Sequence, residues 1–324
     1  MKSWMSRCSK VNNKWAILLM TLSACAGGGE GSIDTTPISE PSSGFAYVAN
    51  QFSNTISVYT INSKTGALTA GTSVATEEND SSATMDPTGK FLYVANAESD
   101  NISVYTINAT TGALTAGTPV AAGTGPVFLT IDPTGRFLYV ANAESDNISV
   151  YTINATTGVL AEVGTPIAAG ITPRSGTVDP TGKFLYVANA ESDNISVYTV
   201  NATTGALTAG TLVAAGTGPV FLTIDPTGRF LYVANAESDN ISVYTINATT
   251  GVLAEVGTPI AAGITPRSGT VDPTGKFLYV ANADSDNISV YTINATTGAL
   301  TAGTPVAAGT GPVSITTVRA IEKT

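Results

Sequence analysis

The chain has 324 residues, of which 43% are hydrophobic and 12% charged, about half the charged share usual for soluble domains. Acids outnumber bases 24 to 14, and four of the bases (Lys2, Arg7, Lys10, Lys14) sit close to the N-terminus, so the rest lacks the basic surface that nucleic acid requires. There is no histidine, and Cys8 and Cys25 are the only cysteines, which excludes a His-based triad, an imidazole general base and a His or Cys zinc or copper site.

The first segment reads as an address. A polar, basic stretch precedes the short apolar run Trp15–Ala24, which is shorter than the ~20 residues of a spanning helix and has the layout of an export signal. Leu22-Ser23-Ala24-Cys25 resembles the lipobox of bacterial lipoproteins. That resemblance implies cleavage after residue 24 and acylation of Cys25, and two or more acyl chains anchor a protein stably where one does not. Ala26, in place of Asp, implies by the same resemblance a preference for the outer membrane. Residues 25–43, rich in Gly, Ser and Pro without periodicity, are expected to form a flexible tether. The expected organisation is therefore signal 1–24, tether 25–43, folded body 44–319 and a tail, 320–324.

From Gly44 onward the chain repeats itself. Tyr-Val-Ala-Asn begins at Tyr47, Tyr93, Tyr139, Tyr186, Tyr232 and Tyr279, at a spacing of 46 or 47 residues, a period that marks solenoids and propellers. A second period of 93 overlies it: residues 108–200 and 201–293 differ only at Pro119/Leu212, Glu191/Asp284 and Val200/Ile293.

One unit predicts four strands. Strand A (Val127–Ile131) ends in the turn Asp132-Pro133-Thr134-Gly135, where Pro sets φ and Gly is free to take φ > 0. Strand B (Arg136–Asn142) and strand C (Ile148–Asn154) flank the loop Ala143–Asn147, and a short strand D falls near Val163–Ala169. Strands B and C are apolar on both faces, so each sheet must be covered on both sides, which blades stacked in a ring achieve. The predicted fold is an all-β, six-bladed propeller of four-stranded antiparallel blades. The body begins at a strand B (Phe45–Asn50) and ends after a strand A (Val313–Val318), so the last strand is expected to complete the first blade and close the ring.

The run Asp-Pro-Thr-Gly-Lys/Arg-Phe-Leu-Tyr-Val-Ala-Asn, followed by Ile-Ser-Val-Tyr-Thr-Ile and Thr-Gly-Ala-Leu, resembles the YVTN-repeat and lactonase-type β-propellers, which include 6-phosphogluconolactonase and surface-layer proteins. The resemblance spans about residues 44–318. Its lactonase branch usually has seven blades, where this chain has six.

In such a ring the B–C and D–A loops share one face. The B–C loops would set Glu98/Asp100, Glu144/Asp146, Glu191/Asp193, Glu237/Asp239 and Asp284/Asp286 around a rim. These read either as a carbohydrate- or cation-binding crown, which for a hard cation needs about six converging oxygens, or as solvated turn residues in Asx-turns. The D–A loops bring Arg174 and Arg267 to the same face, either to hold an anion or to pair with neighbouring carboxylates. The Asn-Ala-Thr strings at Asn108, Asn154, Asn201, Asn247 and Asn294 read as C–D turns.

The functional expectation is a binding or interaction module of the cell envelope, with an envelope protein or a carbohydrate as partner. Membrane contact is through the lipid alone, and the chain is expected to be a monomer without a cofactor, a metal site or assigned catalytic residues. The alternative is a lactonase-like hydrolase, for which Glu77, Glu78, Arg174 and Arg267 are the candidates that break the repeat. The anchor is checked directly: Cys25→Ser is expected to move the protein out of the membrane fraction or to block its processing. Unchanged detergent partitioning would exclude acylation there.

Overall fold

The computed structural model describes residues 44–317, apart from 51, 52, 63, 64, 66 and 79. The signal, the tether with Cys25, and the tail lie outside the described residues. All regular structure among those residues is β. The first sheet holds β1 (Gly44–Asn50), β2 (Thr55–Ile61), β3 (Leu68–Ala70) and β4 (Val74–Ala75). The second holds β5 (Asp80–Met85), β6 (Phe91–Asn96), β7 (Asn101–Ile107), β8 (Leu114–Ala116) and β9 (Val120–Ala121), paired antiparallel in the order β5-β6-β7-β8, with β9 also on β7. Four more sheets, over residues 126–168, 173–214, 219–261 and 266–307, repeat the second. The architecture is a six-bladed β-propeller.

Strands A, B and C fall where the repeat predicts them. Strand D does not run as one: in each blade it breaks into a three-residue and a two-residue piece, both paired to strand C, as with Leu160–Glu162 and Ile167–Ala168. Between them lies Val163-Gly164-Thr165-Pro166. Gly164 takes φ +66, and Pro166 has no N–H to donate to a ladder.

The Asp-Pro-Thr-Gly turn is held from inside by its aspartate. Asp132 is buried; its Oδ1 accepts the amides of Arg136 (2.6 Å) and Phe137 (2.7 Å), and its Oδ2 accepts the amide and the hydroxyl of Thr134. The carboxylate thereby fixes the start of strand B, all six residues of which, Phe137–Asn142, are buried. At Asp86 and Asp272 burial disfavours the charge, but the hydrogen bonds from Thr88, Phe91 and Lys90, and from Thr274, Phe277 and Lys276, outweigh it and hold both carboxyls below their ordinary range.

Blades are joined by a repeated contact. Phe91 of one blade lies under the C–D turn of the next, where Gly158 has φ +70 and an added Cβ would sit 2.4 Å from the ring. The hydroxyl of Tyr93 donates to the carbonyl of Gly158 (3.0 Å), and Tyr47, Tyr139, Tyr186 and Tyr232 do the same to Gly112, Gly205, Gly251 and Gly298. In the other direction Tyr105, Tyr151, Tyr198, Tyr244 and Tyr291 donate to Ala75, Ala121, Ala168, Ala214 and Ala261 of the preceding blade. Burial, with a smaller effect from the turn aspartates, pushes the hydroxyls of Tyr93, Tyr139, Tyr186 and Tyr232 far above the usual phenol range, so they remain donors at any ordinary pH.

The expected closing strand, Val313–Val318, needs correction. The first sheet has four strands, and no ladder joins β1 to the C-terminal stretch among the described residues. Residues 312–317 run instead beside the inner strand of blade six, Pro266–Val271. The amide of Ile315 donates to Ser268 Oγ (3.3 Å) and Thr317 Oγ1 donates to the carbonyl of Val271 (3.3 Å). The stretch is seated on one side only, and among the described residues the hydrogen bonds that would make it a strand of the first sheet are not formed.

The turn aspartates give the fold a defined acid sensitivity. The folded-state pKa of Asp86 lies below its unfolded value of about 3.9, so its stabilisation is complete above that value and is lost as pH falls through the folded one. Asp86→Ala is expected to cost about 2 kcal/mol at pH 7 and to shallow the loss of stability below pH ~4, read from urea unfolding at a series of pH values. An acid limb unchanged by the substitution would remove Asp86 from this role.

Candidate functional site

Among the described residues, the B–C and D–A loops of blades two to six line a cavity of about 1140 Å³ at the centre of the ring. Five positions ring its wall at the start of strand A: Ser81, Val127, Arg174, Val220 and Arg267, one per blade. Apolar and cationic residues therefore alternate over blades three to six, following the 93-residue period. Both arginines are exposed to the cavity, and among the described residues neither forms an ion pair with a carboxylate. The pairing with neighbouring carboxylates weighed for these arginines is not made among the described residues.

The rim divides into two chemically distinct sets. Glu144, Glu191, Glu237 and Asp284 are exposed and line the cavity, whereas Glu98, also exposed, does not. The second residue of each pair is a structural cap. Asp100, Asp146, Asp193, Asp239 and Asp286 all take φ between 51° and 53°, a left-handed conformation that Asp tolerates better than most residues. Each Oδ1 accepts a backbone amide of the following D–A loop: Gly125 (2.8 Å), Thr172 (2.8 Å), Gly218 (2.9 Å), Thr265 (2.7 Å) and Gly311 (2.8 Å) respectively. Asp239 also reaches the cavity lining. With five of the carboxylates engaged in this way, no group of three or more acids able to hold a metal ion forms among the described residues. The Asn-Ala-Thr strings are C–D turns, as expected: Asn154 Oδ1, for instance, accepts the amides of Thr156 and Thr157.

The D–A corners carry a feature that the repeat pattern did not single out. Blades three and five turn through Gly125 and Gly218, both at φ 64, a conformation that costs glycine nothing. Blades four and six place Thr172 and Thr265 there, at φ 57 and φ 55. A β-branched residue in this region is a true outlier and stores of order 1–3 kcal/mol. Each strained threonine lines the cavity two residues before an arginine, and Thr265 Oγ1 donates to Asp284 Oδ2 (2.6 Å). The string Ile-Thr-Pro-Arg was visible in the sequence; its strain was not, because φ is set by the corner the loop must turn. Glu77 and Glu78 do not line the cavity; the Glu78 amide is held by Ser99 Oγ (3.0 Å).

This fold and this cavity define a lactonase-type propeller. The family described as lactonase, seven-bladed β-propeller, matches residues 18–130, 118–223 and 213–317, and the chain belongs to it. No curated protein matches the chain. Among solved structures, it is similar to a putative 6-phosphogluconolactonase of Bacteroides uniformis, with TM-score 0.75 and 23% identity over 82% of each chain. It is also similar to a periplasmic gluconolactonase of Pseudomonas aeruginosa, with TM-score 0.73 and 19% identity over 82% of this chain and 83% of that one. At these identities the likeness is one of fold.

If Thr172 is strained for its position rather than its packing, Thr172→Gly is expected to raise stability by about 1 kcal/mol, the relief of strain exceeding the added freedom of the unfolded chain. Urea unfolding measures it, and an unchanged or lowered midpoint would mean that the threonine side chain compensates for its backbone.

Proposed function

We propose that this protein is a lipid-anchored binding module of the bacterial envelope, its central cavity taking a small, hydroxyl-rich monoanion of the sugar-acid class. The observation that carries this reading is the pair Arg174 and Arg267, two guanidiniums without carboxylate partners facing one cavity. A guanidinium binds a planar carboxylate through two parallel hydrogen bonds. The carboxylates of Glu144, Glu191, Glu237 and Asp284 stand around the mouth, where they accept hydrogen bonds from sugar hydroxyls and disfavour more highly charged anions. Anchoring through Cys25, with the outer membrane as destination, belongs to the same proposal.

A second reading, hydrolysis of a sugar lactone, is favoured by membership of the lactonase family. In it a rim carboxylate would act as base and an arginine would stabilise the oxyanion. Near-identical blades work against the asymmetry a catalytic site needs.

Calorimetry on purified residues 26–324 with D-gluconate, beside an assay on D-glucono-lactone and 6-phosphogluconolactone, decides between them. Binding is expected, weakened at least tenfold in Arg174→Ala and in Arg267→Ala, in keeping with the ~1.5–3 kcal/mol of a hydrogen bond to a charged group. Lactone turnover is expected to stay at the spontaneous rate. Turnover well above it, lost in the same variants, would establish the hydrolase instead.

A further inference from the structure

Exposed charge is divided between the two faces of the ring. The A–B turn of each of blades two to six ends in one exposed cation, Lys90, Arg136, Lys183, Arg229 or Lys276, and among the described residues the only other bases are Arg174 and Arg267 of the cavity. The opposite face exposes the first acid of every rim pair, together with Glu77 and Glu78, while Glu162 and Glu255 lie on the outer strands. The turn aspartates sit beneath the cations. Asp86, Asp132, Asp179 and Asp225 are buried and Asp272 is half-buried, each carboxylate held by backbone amides and a threonine hydroxyl. The turn face therefore presents cations to solvent, and the rim presents anions.

The five cations are not equivalent. Arg136 and Arg229 serve the contact between blades: each guanidinium lies 5.0 Å over the ring of Phe137 or Phe230, and its Nη2 donates to the carbonyl of Ala202 or Ala295 in the next blade (2.8 Å). Lys90, Lys183 and Lys276 form no hydrogen bond or ion pair among the described residues, so three ammonium groups stand on alternate blades with no partner in the fold. The chain enters the ring on this same face. Strand B runs from the A–B turn to the rim, and β1 is a strand B, so Gly44 holds in blade one the position of Lys90 in blade two: Phe45 faces Thr60 as Phe91 faces Thr106. Phe45 packs under the C–D turn of blade two, where a Cβ added to Gly112 would sit 2.2 Å from its ring. Cys25 and the residues that follow it therefore join the propeller at its cationic face, opposite the mouth of the cavity.

We infer that the A–B turn face is a membrane-docking surface: Lys90, Lys183 and Lys276 rest on the anionic headgroups of the leaflet that holds the acyl chains of Cys25, and the cavity opens away from the membrane. The inference rests on the lipid-anchored reading proposed above. An anionic bilayer attracts ammonium groups at its surface and repels the carboxylates of the rim. Because the turn aspartates lie close beneath the cations, the attraction is short in range. It acts once the anchor has brought this face within about 10 Å of the headgroups, the Debye length at ~0.1 M salt. The anchor supplies proximity and the charges supply orientation, so an anionic solute reaches Arg174 and Arg267 from the side that faces away from anionic lipid.

The test uses the processed chain, extracted in detergent and returned to vesicles of phosphatidylethanolamine and phosphatidylglycerol. A thiol-reactive fluorophore is placed at Thr203→Cys, exposed in a C–D turn, or at Thr217→Cys, exposed in a D–A loop. A nitroxide on the lipid headgroup is expected to quench the first at least about twofold more than the second. That difference is expected to vanish in phosphatidylcholine vesicles, and in Lys90→Gln/Lys183→Gln/Lys276→Gln, with retention in the membrane fraction unchanged. Equal quenching at the two positions, or stronger quenching at Thr217→Cys, would overturn the docking surface and leave the anchor standing. A difference that survives the lysine substitutions or the uncharged lipid would overturn the role of charge. Label taken up by the unsubstituted chain would show Cys25 unacylated, and the anchor and the orientation would fall together. The comparison of the two lipids needs no lysine variant, so it decides the matter even if the triple substitution fails to fold.

Discussion

The interface between successive blades is the constraint on which the rest of this structure depends. A sheet whose central strand is buried along its whole length on both faces has no stable existence alone, because each uncovered face would leave several large apolar side chains in water at about 25 cal/mol per Å². Each blade solves this by lending a phenylalanine and a tyrosine to the next. The contact is possible because a glycine at positive φ leaves room for the ring and turns its carbonyl toward the tyrosine hydroxyl. Stability is then a sum over neighbouring blades, and whatever lies at the two ends of the chain inherits the least of it. The exposure of Phe277 and Val48 is the direct expression of that arithmetic.

The same regularity explains how a nearly uniform ring acquires a distinctive centre. Most of the polar chemistry on the loop-bearing face is consumed in holding blades together: the second acid of each rim pair caps an amide of its neighbour. What distinguishes the centre is the set of residues that vary with the longer, 93-residue period, namely the arginines and the strained threonines that precede them. Strain of this kind survives where surrounding structure over-determines the backbone, and here the aspartate cap and the following proline do so on either side. An alternating wall of valine and arginine suits a ligand with one charged end and an otherwise uncharged body.

The family is described as seven-bladed, and the described residues of this chain form six blades. Blades two to six repeat one physical unit, with its aspartate-held turn, its central strand and its split outer strand. The number of units determines how the ends meet.

The sequence by itself determined the units. The Tyr-Val-Ala-Asn period, the Asp-Pro-Thr-Gly turns and the two-sided apolar strands are local signals, each with one physical outcome, so blade number, strands A to C and the face shared by the B–C and D–A loops were legible before any coordinates. It also pointed to Arg174 and Arg267, because they break a repeat. Only the tertiary structure decided which rim acids are caps and which face the cavity, since that depends on where a neighbouring blade's amide falls, 25 or 26 residues away. It alone showed that the outer strand breaks and that threonine is forced into the left-handed region, and it alone showed the C-terminal stretch seated on one side. Ring closure depends on the angle between successive blades summed around the whole circuit, and no single residue or local pattern carries that sum.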